Sequence, residues 1–229
     1  MRCVKGRMPQ LKVAMQEQMR GLEPIRRFFE IPVSLMSLLL LSPVFLAIAA
    51  LIKLDSRGSI LFRQLRVGCQ GRTFLFYKFR TMFDPRYRPR PHVPPPQTNQ
   101  EAKYRRDHCC EECARPRAQC TCVTRAGRFL RKTSLDELPQ LWNVFRGDMT
   151  FVGPRPMLQY QVENSCPRWR ARLRAKPGIT GLAQVSGRNE LSWDQKIELD
   201  LWYIEHRSLW LDCKIVFRTL VGKCVVQGD

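Results

Sequence analysis

Asp136 and Glu137 stand side by side in Thr133-Ser134-Leu135-Asp136-Glu137-Leu138-Pro139-Gln140-Leu141, directly after the basic residues Arg128, Arg131 and Lys132. In a chain with 39 Lys and Arg against 20 Asp and Glu, adjacent carboxylates need a reason. One reason is helix capping. Ser134 and Glu137 have the S-x-x-E spacing of a capping box, which satisfies two orphan N–H groups. Pro139 strains that reading, because with Ser134 as cap its ring clashes one turn back; a cap at Asp136 moves it into the first turn, where it is tolerated. The other reason is chemistry, with both carboxylates kept ionised by the positive end of the helix.

Other cations of the chain, elsewhere in the sequence, could suit phosphate. Lys78 and Arg80 alternate with Tyr77 and Phe79, so on a strand the two cations share one face, fit for a phosphate or simply a solvated basic edge. Gly147–Pro156, GDMTFVGPRP, reads as a rigid loop that fixes Arg155. Lys176–Gly181, KPGITG, followed by Gln184 and Gly187-Arg188, reads as a second small-residue loop whose N–H groups could approach a phosphate, although many such turns bind nothing.

These candidates need elements to position them. Ser59–Arg66 and Thr73–Arg80 read as a β-hairpin around the turn VGCQG, and a helix is predicted from Asp136 to Phe145, ending at Gly147. Two C-terminal helices are predicted at Trp193–His206 and Leu209–Val225. The second carries Trp210, Phe217 and Leu220 with Lys214, Arg218 and Lys223, a mixture that favours a membrane interface.

Upstream, Ile31–Ile52 is uncharged and, as a straight helix, roughly 33 Å long, enough to cross a bilayer core. Ser42-Pro43 sits at its midpoint, where proline removes the hydrogen bond to the Leu39 carbonyl and kinks the helix. Both flanks are basic, with Arg20, Arg26 and Arg27 before and Lys53, Arg57, Arg63 and Arg66 after. Both ends are thus favoured in the cytoplasm, as for a helix that enters and turns back, although a kinked true span stays open on these residues alone.

Between Asp84 and Cys122 the composition changes to proline-rich and then cysteine-rich sequence, read as an insertion without a core. Cys110, Cys113, Cys120 and Cys122 could enclose a structural zinc, or remain unpaired thiols in a loop. The chain shows no secretory signal, so ten cysteines point to a reducing compartment. The net charge of +19 calls for a polyanionic partner, of which nucleic acid, anionic lipid and phosphorylated small molecules are the classes.

Taken together the stretches LLSPVFL (40–46), LFRQLRVG (61–68), FYKFRTM (76–82), VTRAGRFLRKTSLDELPQLWNVFRGDMTFVGPRP (123–156), KPGITGLAQVSGRN (176–189) and SLWLDCKIVFRT (208–219) resemble the bacterial sugar transferases that act on polyprenyl phosphate, the monotopic phosphoglycosyl transferases. The resemblance covers about 26–83 and 123–221, in the family's order. It implies an α+β fold with a re-entrant membrane helix broken at Ser42-Pro43, a small hairpin and amphipathic interfacial helices. The organisation is then a basic segment at 1–30, the membrane helix at 31–52, and a catalytic domain at 53–229 with the insertion at 84–122.

The function it implies is transfer of a sugar 1-phosphate from a nucleotide diphosphate sugar, a UDP-sugar by preference, to polyprenyl phosphate. It further implies Asp136 as nucleophile, Glu137 as its partner, both as ligands of Mg2+, and Lys78, Arg80, Arg131, Arg155 and Arg188 as phosphate-binding cations. The implied location is the cytoplasmic face of a bacterial cell membrane, with nucleotide sugar and membrane lipid as partners, no nucleic acid, and an oligomer left open. Two departures stand out: Cys120 and Cys122 occupy positions where the family carries an acidic residue and an arginine, and Glu30 stands for an aspartate. A basic zinc-knuckle module binding nucleic acid, and a catalytically silent membrane scaffold, are the competing classes.

Overall fold

The computed structural model describes residues 10–84, 122–187 and 190–225, the side chains of 10–22 and 223–225 excepted. Helices and two small two-stranded sheets make up the described residues, in agreement with the α+β expectation. Helix α1 (Gln10–Leu40) and helix α2 (Ser42–Asp55) are separated at Leu41. The cause is the one read from Ser42-Pro43. Pro43 has no N–H for the Leu39 carbonyl, and the Ser42 hydroxyl donates to that carbonyl instead, at 2.7 Å. Pro43 itself falls in the first turn of α2, where its ring is tolerated. Among the described residues no single helix is long and apolar enough to cross a membrane; Glu23–Leu40 with Ser42–Asp55 is so only as a pair, bent by 56°. Leu39, Leu40, Leu46 and Leu54 are exposed.

The described residues divide into two compact units, one of 10–42, 63–77 and 139–225 and the other of 43–62, 78–84 and 122–138. A hairpin of β1 (Leu61–Val67) and β2 (Thr73–Phe79) runs through the chain as expected, within a residue or two. Its longer turn uses Gln70 (φ 57°) and Gly71 (φ 80°).

In the second unit Ile48, Ile52, Phe79 and Leu130 form a buried core, joined by Phe45, Ile60, Leu61, Leu135 and Leu138. Helix α3 (Arg125–Thr133) contributes Leu130. Its start is set by Thr124, whose side chain accepts from Gly127 N at 2.9 Å, and by Asp55, which accepts from Ala126 N at 2.9 Å. Gly127 is required there, because a Cβ would fall 2.0 Å from the Thr81 carbonyl oxygen. Met82 and Val123 form an antiparallel bridge, with Phe83 N donating to Cys122 O at 2.8 Å and Thr124 N to Thr81 O at 3.1 Å. Cys122 is fully buried beside this bridge; the other three proposed zinc ligands, Cys110, Cys113 and Cys120, lie outside the described residues.

In the first unit helix α4 (Gln140–Arg146) leads into β3 (Thr150–Val152), which pairs in parallel with β4 (Gly178–Thr180), Thr150 opposite Gly178 and Val152 opposite Thr180. Short helices α5 (Gln159–Glu163) and α6 (Pro167–Arg170) and a 3-10 turn (Ala171–Arg174) connect the two strands, and α7 (Leu182–Val185) follows. Helices α8 (Trp193–His206) and α9 (Leu209–Val225) have the bounds read from the sequence. Val152, Ala175, Tyr203, Ile204 and Ile215 are buried together. The outward face of α9 leaves Trp210, Phe217 and Leu220 exposed, with Lys214 Nζ 5.2 Å from the Trp210 ring centroid.

Candidate active site

The acidic pair lies on a turn between two helices. Ser134 adopts a left-handed conformation (φ 57°, ψ 20°) and its N–H bonds the Arg131 carbonyl at 3.2 Å, which ends α3. A single 3-10 turn, Leu135–Glu137, follows. The capping-box expectation is therefore corrected: Ser134 closes one helix and makes no side-chain cap, and the position before α4 belongs to Pro139, not to Asp136. The predicted helix at Asp136–Phe145 is shorter, Gln140–Arg146, and ends as expected at Gly147 (φ 90°). Two forces favour the 3-10 turn over an extended α4. It keeps Pro139 clear of an established helical turn, and its three-residue period puts Leu135 and Leu138 on one side, where both join the core. Asp136 and Glu137 occupy the remaining directions.

Lys78 Nζ meets both carboxylates, 2.9 Å from Glu137 Oε1 and 3.6 Å from Asp136 Oδ2. Asp136 is buried, while Lys78 and Glu137 are partly exposed. Arg131, at the end of α3, is exposed, and its Nε donates to Thr81 Oγ1 at 2.9 Å. Arg80 is engaged differently from Lys78, its expected companion. Buried just past β2, its guanidinium donates to the carbonyls of Arg57 and Ser56, both at 2.7 Å, and to Ser56 Oγ at 2.8 Å, tying the end of α2.

For a metal, the donor set is two adjacent carboxylates. Among the described residues no group of three or more His, Cys, Asp or Glu converges as a metal cage. Two carboxylates without a cage fit magnesium, which takes one or two protein carboxylates and completes its shell with phosphate oxygens and water.

The remaining predicted cations belong to the other unit or lie outside the described residues. Arg155 is exposed on the loop after β3. Arg188 is outside the described residues. The second small-residue loop is corrected in part, since Gly178–Thr180 is strand β4. Its glycine admits another backbone: a Cβ on Gly178 would fall 2.1 Å from Gly153 N.

Arg26 and Arg27, which by sequence are charges flanking the apolar segment, are bound inside the first unit, where no local motif places them. Arg26 donates to Tyr203 Oη at 2.8 Å and pairs with Asp212, while Arg27 donates to the carbonyls of Val144 and Phe145 at the end of α4. Glu30 is buried and accepts from Thr150 Oγ1. Burial pushes the Asp212 carboxyl up, against the pull of Arg26. The polar spacing Glu23, Arg26, Arg27, Glu30, Ser34 along one helix face was the available signal.

A family model described as bacterial sugar transferase matches residues 22–226. An undecaprenyl-phosphate galactose phosphotransferase of Salmonella typhimurium is 38% identical over 205 residues, covering 90% of this chain and 41% of that protein. The exopolysaccharide production protein ExoY of Rhizobium meliloti is 37% identical over 213 residues, covering 89% of this chain and 87% of that protein. A UDP-glucose:undecaprenyl-phosphate glucose-1-phosphate transferase of Klebsiella pneumoniae is 38% identical over 203 residues, with 85% and 39% covered. The chain thus spans less than half of two of these relatives and most of the third.

Proposed function

The chain belongs to the bacterial sugar transferase family, and we propose that it moves a sugar 1-phosphate from a UDP-sugar to undecaprenyl phosphate, releasing UMP. The observation that carries the reading is the juxtaposition of Lys78 with Asp136 and Glu137. A carboxylate is a weak nucleophile, so it needs an electrophile whose leaving group is neutralised by neighbouring cations. Asp136 Oδ attacks the phosphorus that bears the sugar. One O–P bond forms, the bond from that phosphorus to the bridging oxygen breaks, and the electron pair leaves on the nucleoside monophosphate. A phosphate oxygen of the lipid then attacks the same phosphorus and returns the Asp136 carboxylate.

Lys78 and Arg131 suit the diphosphate charge near the acidic turn, and Arg155 a phosphate at its own loop, whereas Arg80 is committed to Ser56 and Arg57. Asp136 and Glu137 would hold magnesium, which when bound neutralises phosphate charge. The exposed apolar residues of α1 and α2 and the basic flanks support a re-entrant placement on the cytoplasmic face of the cell membrane, where the lipid phosphate is at hand. The names of the relatives support polyprenyl phosphate and UDP-sugar as substrates and give no support to the nucleic-acid reading.

Intact-protein mass spectrometry tests the central step. Wild-type protein incubated with a panel of UDP-sugars, without lipid, should gain the mass of one sugar phosphate, and lipid should discharge it. Asp136→Asn, which keeps the size and shape of the side chain and removes its charge, should show neither adduct nor UMP release. Turnover at the wild-type rate in that variant would sink the nucleophile assignment.

A further inference from the structure

The segment Gly153-Pro154-Arg155-Pro156-Met157 is held in an unusual way. Pro154 and Pro156 have no N–H, so the segment cannot extend β3 as a regular ladder. Four consecutive carbonyls are instead taken by donors from separate parts of the chain. Gly178 N donates to Pro154 O at 2.9 Å, Arg172 Nη2 to Arg155 O at 3.1 Å, Arg66 Nη1 to Pro156 O at 3.2 Å and Val67 N to Met157 O at 2.9 Å. The Arg155 residue on this pinned backbone is exposed.

Arg172 is the costly member of the set. Its side chain and that of its ion-pair partner Asp200 are each only 4% exposed. A buried ion pair of this kind is generally no more stabilising than well-packed apolar residues of the same size. What apolar residues cannot do is donate to the Arg155 carbonyl. Arg66 is fixed for its own contact by two bonds to Gln64 Oε1, at 2.8 and 3.1 Å, and by its place 5.3 Å from the Phe76 ring centroid.

We infer that Arg172, oriented by Asp200, is a positioning residue that sets where Arg155 presents its guanidinium to a substrate phosphate. The inference rests on the reading of Arg155 as a phosphate ligand. A guanidinium on a rigid loop meets phosphate without first being ordered, and a displacement of about 1 Å can cost on the order of 100-fold in rate.

A double-mutant cycle in the full-length, membrane-reconstituted protein tests it, with kcat/KM for the UDP-sugar read as UMP release. Arg172→Met with Asp200→Leu removes the pair without leaving a buried charge, and Arg172→Lys keeps a cation but replaces the planar guanidinium, whose Nη2 meets both Asp200 and the Arg155 carbonyl, by a point charge on a different stem. With Arg155 present, each change should lower kcat/KM about tenfold; in an Arg155→Ala background, each should cost less than about twofold. Equal losses on both backgrounds overturn the positioning role, because a general structural defect would not depend on Arg155. Unchanged kcat/KM for both variants while Arg155 is present also overturns it. If Arg155→Ala alone leaves kcat/KM at the wild-type value, the phosphate role of Arg155 fails first and the positioning role falls with it.

Discussion

The acidic turn at Leu135–Glu137 and the loop at Gly153–Met157 carry their functional side chains by opposite means. In the turn, apolar side chains hold the place: Leu135 and Leu138 are packed in a core, and the backbone follows, at the expense of a left-handed Ser134. In the loop, the backbone is held directly by four donors, one of them a buried arginine. The difference teaches where each region is vulnerable. The turn tolerates changes in its polar contacts as long as its leucines remain, whereas the loop depends on charge chemistry hidden from solvent.

The largest effect is expected in the loop. Asp200→Ala leaves Arg172 buried without its carboxylate and should cost about 3–5 kcal/mol of stability, measured by denaturant unfolding. Burial pushes the Asp200 carboxyl up to about 6, against the pull of Arg172. The folded state therefore holds a proton that the unfolded chain, with a pKa near 3.8, has already lost. Wild-type stability should fall, relative to the variant, as pH rises from about 4 to about 6, by up to ~3 kcal/mol, and level off above that. A difference that is flat across this window would remove the raised carboxyl.

In the turn the expected loss is catalytic. Lys78→Met keeps the aliphatic stem and removes the ammonium beside both carboxylates, so kcat should drop roughly 100-fold while the unfolding midpoint moves little. Unfolding of the variant under assay conditions would show instead that Lys78 is a structural counter-ion. The smallest effect concerns Ser134. Glycine adopts its left-handed conformation (φ 57°) freely, and Ser134→Gly should stabilise the protein by about 0.5–1 kcal/mol. A loss of stability would place the turn in another conformation.

Much of this arrangement was legible from residues alone, where local chemistry and tertiary demand agree. Ser192 accepts from Gln195 N and starts α8 where the pattern placed it, and Ser42-Pro43 breaks the apolar stretch for the reason proline always gives. Sequence reading failed where a local motif competed with the core. Ser134-x-x-Glu137 has capping-box spacing, but Pro139 and the burial of Leu135 and Leu138 favour the 3-10 turn. It failed again where charges turned inward. Arg26, Arg27 and Arg172 look like any of 39 cations until the fold supplies Asp212, the Val144 carbonyl and Asp200. Lys78 and the acidic pair are far apart in sequence, and nothing local announces their meeting.

The antiparallel bridge between Met82 and Val123 makes the site of the insertion a natural port. Its two ends are already joined by backbone hydrogen bonds, and for a flexible connection between joined ends each doubling of length costs about 0.6 kcal/mol in closure. A short glycine tether in place of residues 85–121 leaves both hydrogen-bonded ends in the chain, and the activity of that variant measures what the segment adds to the unit that carries Asp136.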